Sequence, residues 1–213
     1  MRKVNRRVEL AAWLWVLAGL IYLTAEAIAA IAFPRYSYTV AYISALGVPG
    51  DSPAAAVMNV GGFMLYGVAF AAAGITFASA LAERSRRRIA FMALAVANGV
   101  GNVLVGVFHA GESPLHGLGA FLAIVGGNAA VIVAGGVMRR AGLPAAFCVA
   151  TRVVGYLGFA SVVALFFVAG RGTMVEGAIE RGSVYTIIGW GIVTGTLLLV
   201  DLRRTGSRHR QSA

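Results

Sequence analysis

The sequence predicts an all-α, polytopic membrane protein: a six-transmembrane-helix bundle with both termini cytoplasmic. Three observations carry this. Of 213 residues, 59% are hydrophobic and 12% are charged, too few charges for a water-facing surface, since a soluble domain carries about 25%. Six apolar runs each approach the ~20 residues that a helix needs to cross hydrocarbon. The basic residues gather in alternate gaps between those runs, as the positive-inside rule requires of an even number of spans.

The runs are 10–33, 55–81, 89–108, 117–138, 145–169 and 183–201. Breaker residues separate them. Pro34 closes the first, Pro49 and Pro53 precede the second, Pro114 divides the third from the fourth, Gly142 and Pro144 open the fifth, and Gly170-Arg171-Gly172 ends it. The first run exceeds the roughly 7–15 residues of a signal-peptide core, so it reads as a retained helix. Residues 203–213 read as a basic disordered tail in which His209 is a solvated bystander. Residues 1–202 then form one membrane domain.

Arg2, Lys3, Arg6, Arg7, Arg84, Arg86, Arg87, Arg88, Arg139, Arg140, Arg203, Arg204, Arg208 and Arg210 all fall on one face of a six-span protein. The opposite loops hold Arg35, Arg171 and Arg181. The face rich in Arg is cytoplasmic by that bias, which places the chain in a plasma membrane, the inner membrane of a bacterium. The net charge of +10 does not imply nucleic acid. The clusters are short, lie between apolar runs and have few interleaved aromatics; the partners they fit are anionic lipid head groups. Twenty-eight glycines suit close helix packing in a bilayer. Gly191 and Gly195 form a small-xxx-small pair, read either as packing within the bundle or as a seam for self-association. Cys148 is the single cysteine, so no internal disulfide exists and no CxxC metal motif is present.

Ionisable groups within hydrocarbon normally face a cavity or a partner. Glu26 lies about seven residues from the outer end of the first run, with no basic residue within a turn, so it is either protonated or paired with another helix. Arg152, near the cytoplasmic end of the fifth run, can snorkel to inner head groups. Asn98 and Asn102 share a helix face, and His109 continues their stripe two turns on. Glu26, Asn59, Asn102, His109, Glu112, His116, Glu180 and Arg181 fall in the outer half, and Asn128 lies mid-helix in the fourth run. The inner half is nearly dry. That asymmetry predicts a pocket open to the outside.

The stretch His109-Ala-Gly-Glu112-Ser-Pro-Leu-His116 places two histidines and a carboxylate at one tight outer turn. Three chemistries fit. Two histidines and a carboxylate ligate zinc with an open position; a histidine and a glutamate do acid–base work; or the set caps helix ends and lipid phosphates. The spacing matches no standard zinc motif, so no metal is assigned, and no cofactor motif is present. The cofactor is unknown. Glu26, His109 and His116 are the candidate proton-transfer residues. Tyr42, Ser44, Asn59, Asn102, Glu112, Asn128, Glu180 and Arg181 are the candidate ligand contacts. Glu180 with Arg181 suits an anionic head group or an ion pair fixing the third outer loop. Tyr42 and Ser44 belong to the longest loop, 34–54, which reads as an interfacial anchor or as a lid over the pocket.

These residues resemble the multi-pass proteins grouped as domain of unknown function nine-nine-eight, and more loosely the Frag1-like membrane proteins. The resemblance rests on Tyr42-Ile-Ser-Ala-Leu-Gly47, Ser52-Pro53, Asn59, the His109/His116 pair, Gly127-Asn128 and Glu180-Arg181 ahead of Trp190. It covers about residues 10–200. The family often has an acid after Ile-Ser, where this chain has Ala45. The resemblance implies six helices and an outer site and brings no established reaction; the looser likeness implies lipid-directed work by analogy. Three functions follow for testing: binding or modification of a lipid or amphiphile, a small transporter or proton-coupled channel, and a non-catalytic membrane scaffold.

Overall fold

The computed structural model describes residues 2–81 and 84–211, with side chains from residue 6 to residue 204 of that range. Six long helices run in chain order: α1 Arg2–Ala32, α2 Ala55–Ala80, α3 Arg86–Val107, α4 Pro114–Arg140, α5 Ala145–Val168 and α6 Glu176–Gln211. Each contains a stretch long and apolar enough to cross a membrane, and no strand occurs among the described residues. The protein is a multi-pass membrane protein built as an all-helical bundle. The side chains of Arg2, Lys3, Arg208, His209 and Arg210 lie outside the described residues.

Local chemistry sets the helix ends. Ser85 caps α3, its hydroxyl accepting from the Arg88 amide at 3.3 Å. Ser113 caps α4 by accepting from the Leu115 amide at 3.2 Å, and Pro114 takes the first helical position, where its missing N–H costs nothing. At the far end of α4, Gly142 adopts φ +85°, the left-handed conformation that lets the chain turn.

Two boundaries differ from those the sequence predicts. Helix α6 begins at Glu176, seven residues before the predicted 183. The cause is a capping box: in Thr173-Met-Val-Glu176 the Glu176 carboxylate accepts from the Thr173 amide at 3.0 Å. Glu180 and Arg181 therefore sit on a helix rather than in a loop. The same helix continues to Gln211, through the boundary at 202 where a disordered tail is predicted; no proline interrupts it. A third departure lies inside α2, where Met58–Leu65 forms a π-helical stretch around Gly61-Gly62.

The helices close a ring. Each packs on its chain neighbour, and α6 packs on both α5 and α1. Loop 33–54 and the α3–α4 and α5–α6 connections gather at one end, the loop end. The arginine-rich connections gather at the other. Glycines allow the closest approaches. Gly101 on α3 lies against the Gly119 carbonyl and the Ala123 amide of α4. Gly191 and Gly195 of α6 lie against Trp15 and the Ala12 carbonyl, so this small-residue pair packs on α1 of the same chain. The outward faces are apolar: Val149, Val153, Leu157, Val163, Phe166 and Phe167 stand exposed on α5 alone.

An aromatic column fills the middle of the ring. Phe77 meets Trp15, Trp15 meets Trp190, and Trp190 meets Phe70, with centroids 5.5, 5.3 and 6.2 Å apart. Phe70 continues to Tyr66, Tyr66 to Tyr22, and Tyr22 to Phe63. Such pairs contribute about 0.5–1.5 kcal/mol each beyond their burial.

Any side chain at Gly101 collides with α4 backbone, which has no rotamer to move. Gly101→Val is expected to destabilise the bundle by roughly 1–3 kcal/mol, read as a lower unfolding midpoint in detergent. Gly117→Val, where a Cβ meets open space, is the control and should leave the midpoint unchanged.

Candidate functional site

At the loop end, Arg181 enters the bundle from α6 and uses all three guanidinium nitrogens. Its Nε donates to Glu26 Oε1 at 3.0 Å, and its Nη2 lies 3.0 Å from the same oxygen. Nη1 donates to the carbonyls of Tyr38, Ala41 and Gly177 at 2.7, 3.0 and 3.1 Å. Nη2 donates to the Tyr36 hydroxyl at 2.5 Å, and the guanidinium lies 4.6 Å from the Tyr38 ring centroid, within cation–π range. Tyr185 donates to the other Glu26 oxygen at 2.9 Å. Glu26 is 1% exposed. Its partner is thus on another helix, one of the two states the sequence allows.

Loop 33–54 is bound down by α6 and α2. The Ile43 amide donates to Glu180 Oε2 at 2.5 Å, the Tyr42 hydroxyl donates to Glu176 at 2.6 Å, and Asn59 Nδ2 donates to the Gly47 carbonyl at 2.8 Å. Ile43 and Leu46, in the short 3₁₀ turn Ile43–Gly47, are fully buried. The loop is a lid with apolar plugs.

Beneath the lid lies a cavity of about 80 Å³. One water needs roughly 10–15 Å³ by the same measure, so the space takes several waters or one small polar group. Glu180 and Val184 from α6, Asn98, Asn102 and Val105 from α3, and His116, Ala120 and Ala123 from α4 form its sides. Tyr22, Phe63 and Tyr66 supply aromatic walls, and Ile43 and Ser44 come from the lid. Two wall atoms are buried without a hydrogen-bond partner: Asn98 Oδ1 and Tyr66 Oη. Native interiors leave few such groups.

The predicted site residues divide among three places. Ser44, Asn102, His116 and Glu180 line the cavity. Glu26 and Arg181 form the neighbouring ion pair, so Glu180 and Arg181 do not pair with each other as the sequence suggests. The remaining residues serve structure or the rim. His109 Nδ1 meets Glu112 at 2.8 Å on the exposed rim, while His116 Nδ1 donates to the Phe108 carbonyl at 2.8 Å. The turn therefore does not aim both imidazoles at one mouth, and Glu26, His109 and His116 are not one constellation. Helix α4 starts at Pro114, so His116 is carried inward on its first turn while His109 stays in the connection. Asn128 joins α4 to α6, donating to Ser183 at 2.9 Å and accepting from Thr186 at 3.0 Å. Tyr42 and Asn59 hold the lid. Arg152 lies along Gly135 and Gly136 of α4 beside Arg87. No three His, Cys, Asp or Glu converge as metal ligands among the described residues.

Tyr22 and Tyr66 are wall residues that the sequence reading passes over. Tyr22 was legible, being one turn from Glu26 on the same face. Tyr66 was not, because the π-helical stretch breaks the 3.6-residue period between it and Asn59.

Fold and site together define a six-helix membrane protein whose buried charged side chains, Glu26, Glu176, Glu180 and Arg181, gather at the loop end. Residues 16–197 match the family described as "Protein of unknown function (DUF998)", and the chain belongs to that family. No curated protein and no solved structure matches it.

Removing one partner of a buried, hydrogen-bonded ion pair costs about 3–5 kcal/mol. Arg181→Ala and Glu26→Ala are each expected to lose stability on that scale and to expose loop 33–54 to protease. Arg181→Lys should recover little, because one ammonium cannot span the same acceptors. Denaturation in mixed micelles with limited proteolysis checks both.

The lid tyrosines carry a pH dependence. Burial pushes the Tyr36 phenol up to about 12, and burial with the hydrogen bond to Glu176 pushes Tyr42 up to about 12, from the usual 10.0. The fold therefore favours the neutral phenols. Their contribution is complete below pH 10 and is lost as pH rises through 12. Spectrophotometric titration of Tyr36→Phe and Tyr42→Phe variants should each remove one late-titrating phenol.

Proposed function

We propose that this protein binds a lipid or another amphiphile, placing the polar group of that molecule in the cavity beneath loop 33–54. The observation carrying the proposal is the pair of buried, unpartnered atoms, Asn98 Oδ1 and Tyr66 Oη, on the wall of one cavity. Each such group costs about 1–3 kcal/mol unless something polar answers it. Several waters fit the space, and so does a small head group. The volume does not take an acyl chain, so the chain of the amphiphile lies outside, against the apolar faces of the helices.

His116 and Glu180 are the imidazole and the carboxyl group on the cavity wall and supply polar contacts and any proton transfer. Glu26 and His109 act indirectly, the first through Arg181 and the lid, the second at the rim. A transport path is opposed by the aromatic column, which occupies the bundle axis from Phe63 to Phe77. The glycine seams that serve a scaffold or a dimer face other helices of this chain. The arginine-rich end lies in the cytoplasm, with both termini, and the loop end faces outward from a plasma membrane, the inner membrane if the cell is bacterial; the bias of basic residues supports this orientation.

His116→Ala is expected to insert normally and to lose co-purifying amphiphile about tenfold, measured by native mass spectrometry from mild detergent. Val163→Ala, on the exposed face of α5, is the control for lipids held on the outside. Equal retention in both variants rules out the cavity as the binding site. For orientation, Glu112→Cys in a Cys148→Ala background should react with an impermeant maleimide on intact cells, and Ala141→Cys only after permeabilisation. The reverse pattern inverts the topology.

A further inference from the structure

We infer that the group received by this cavity is an ammonium: a primary amine or a methylated amine head group seated between the Glu180 carboxylate and the rings of Tyr22, Phe63 and Tyr66. The inference rests on the amphiphile-binding reading and narrows it to one chemistry.

The charge on the wall has one sign. Among the described residues, Glu180 is the only carboxylate on the wall, and no Lys or Arg lines it. Arg181, the next residue, is turned away toward Glu26, Tyr36 and the lid carbonyls. One oxygen of Glu180, Oε2, accepts from the Ile43 amide; the other, Oε1, has no hydrogen bond to any described residue. Glu180 is 9% exposed. A carboxyl group at that depth takes up a proton or is stabilised by a counter-charge, and a phosphate or carboxylate ligand would add repulsion.

The hydrogen-bonding capacity left on the wall points the same way. Asn98 Nδ2 spends one of its two N–H groups on the Ala123 carbonyl at 2.6 Å, and Asn102 Nδ2 one of its two on the Asn98 carbonyl at 2.9 Å. His116 Nδ1 faces the Phe108 carbonyl, which only accepts, so this nitrogen carries the hydrogen. In the neutral imidazole Nε2 is then an acceptor. The acceptors left without a donor are Asn98 Oδ1, Glu180 Oε1 and His116 Nε2, with the Tyr66 hydroxyl able to serve either way. A ligand that donates answers all three of these acceptors. A primary ammonium brings three N–H donors, and a methylated one brings spread positive charge to the ring faces, which attract cations most strongly when desolvated. The cavity of about 80 Å³ suits a group of that size.

The test uses full-length protein in nanodiscs of phosphatidylglycerol, a lipid without an amine. Four probes share one decyl chain: decylamine, decyltrimethylammonium, decanol and decyl phosphate. A ligand that binds only the folded state raises the unfolding temperature in proportion to its occupancy. The expected result is a shift with the two ammonium probes and none with the other two. Glu180→Gln should weaken ammonium binding at least tenfold. Because Glu180 also holds the lid, Tyr66→Phe provides a second variant that removes only an unpartnered hydroxyl; it should weaken decylamine binding a few-fold without lowering the unfolding temperature of the free protein. If all four probes stabilise equally and His116→Ala abolishes every shift, the ammonium assignment is wrong while the amphiphile reading stands. If no probe stabilises, or the shifts ignore every cavity variant, both are wrong.

Discussion

A guanidinium enclosed by a hydrocarbon-facing bundle persists only when its donors are answered, and Arg181 meets that condition in a way that organises the whole loop end. Glu26 ties it to α1, Gly177 to its own helix, and Tyr36, Tyr38 and Ala41 to the lid. Remove the arginine and four acceptors and one carboxylate are left facing each other. The lid position depends on this side chain, since it holds the carbonyl of Tyr38 and, one turn later, that of Ala41, next to Tyr42 and Ile43. Those residues in turn reach Glu176 and Glu180. The cavity roof is therefore a consequence of an ion pair that does not touch the cavity.

The fold was legible because the solvent writes itself into composition. Six apolar runs, their proline and glycine punctuation and the bias of arginine fix a six-helix bundle without any tertiary information. The start of α6 was also written, in Thr173-Met-Val-Glu176, but its capping signal is short and competes with the glycines before it. The end of α6 was not, because a basic tail and a basic helical extension have the same composition.

The site was legible in its parts and less so in its pairings. Depth along a helix follows from counting residues, so the gathering of polar groups at one end could be read. Facing direction across helices depends on packing. That is why Glu26 could be recognised as needing a partner on another helix while Arg181 could not be chosen as that partner. It is also why the two histidines separate: one residue lies before the helix start and the other on its first turn, a difference of about 100° per residue once helical geometry begins. The division of the interior into a polar end and an aromatic axis is likewise a property of packing, since Tyr66 belongs to both.

The π-helical stretch in α2 bears on how this chain tolerates changes in length. Its wide turns hold one more residue than an α-helix would need to cover the same path. Deleting a single residue among Val60, Gly61 and Gly62 lets the segment relax to ordinary α geometry with both halves still in phase, whereas α geometry at unchanged length would swing everything before it by about 100° relative to the rest. Asn59 would leave the Gly47 carbonyl, while the half of α2 that packs on α3 would keep its register. The extra residue thus acts as a phase adjuster between two parts of one rod: the arginine-end half obeys the bundle, and the loop-end half obeys the lid.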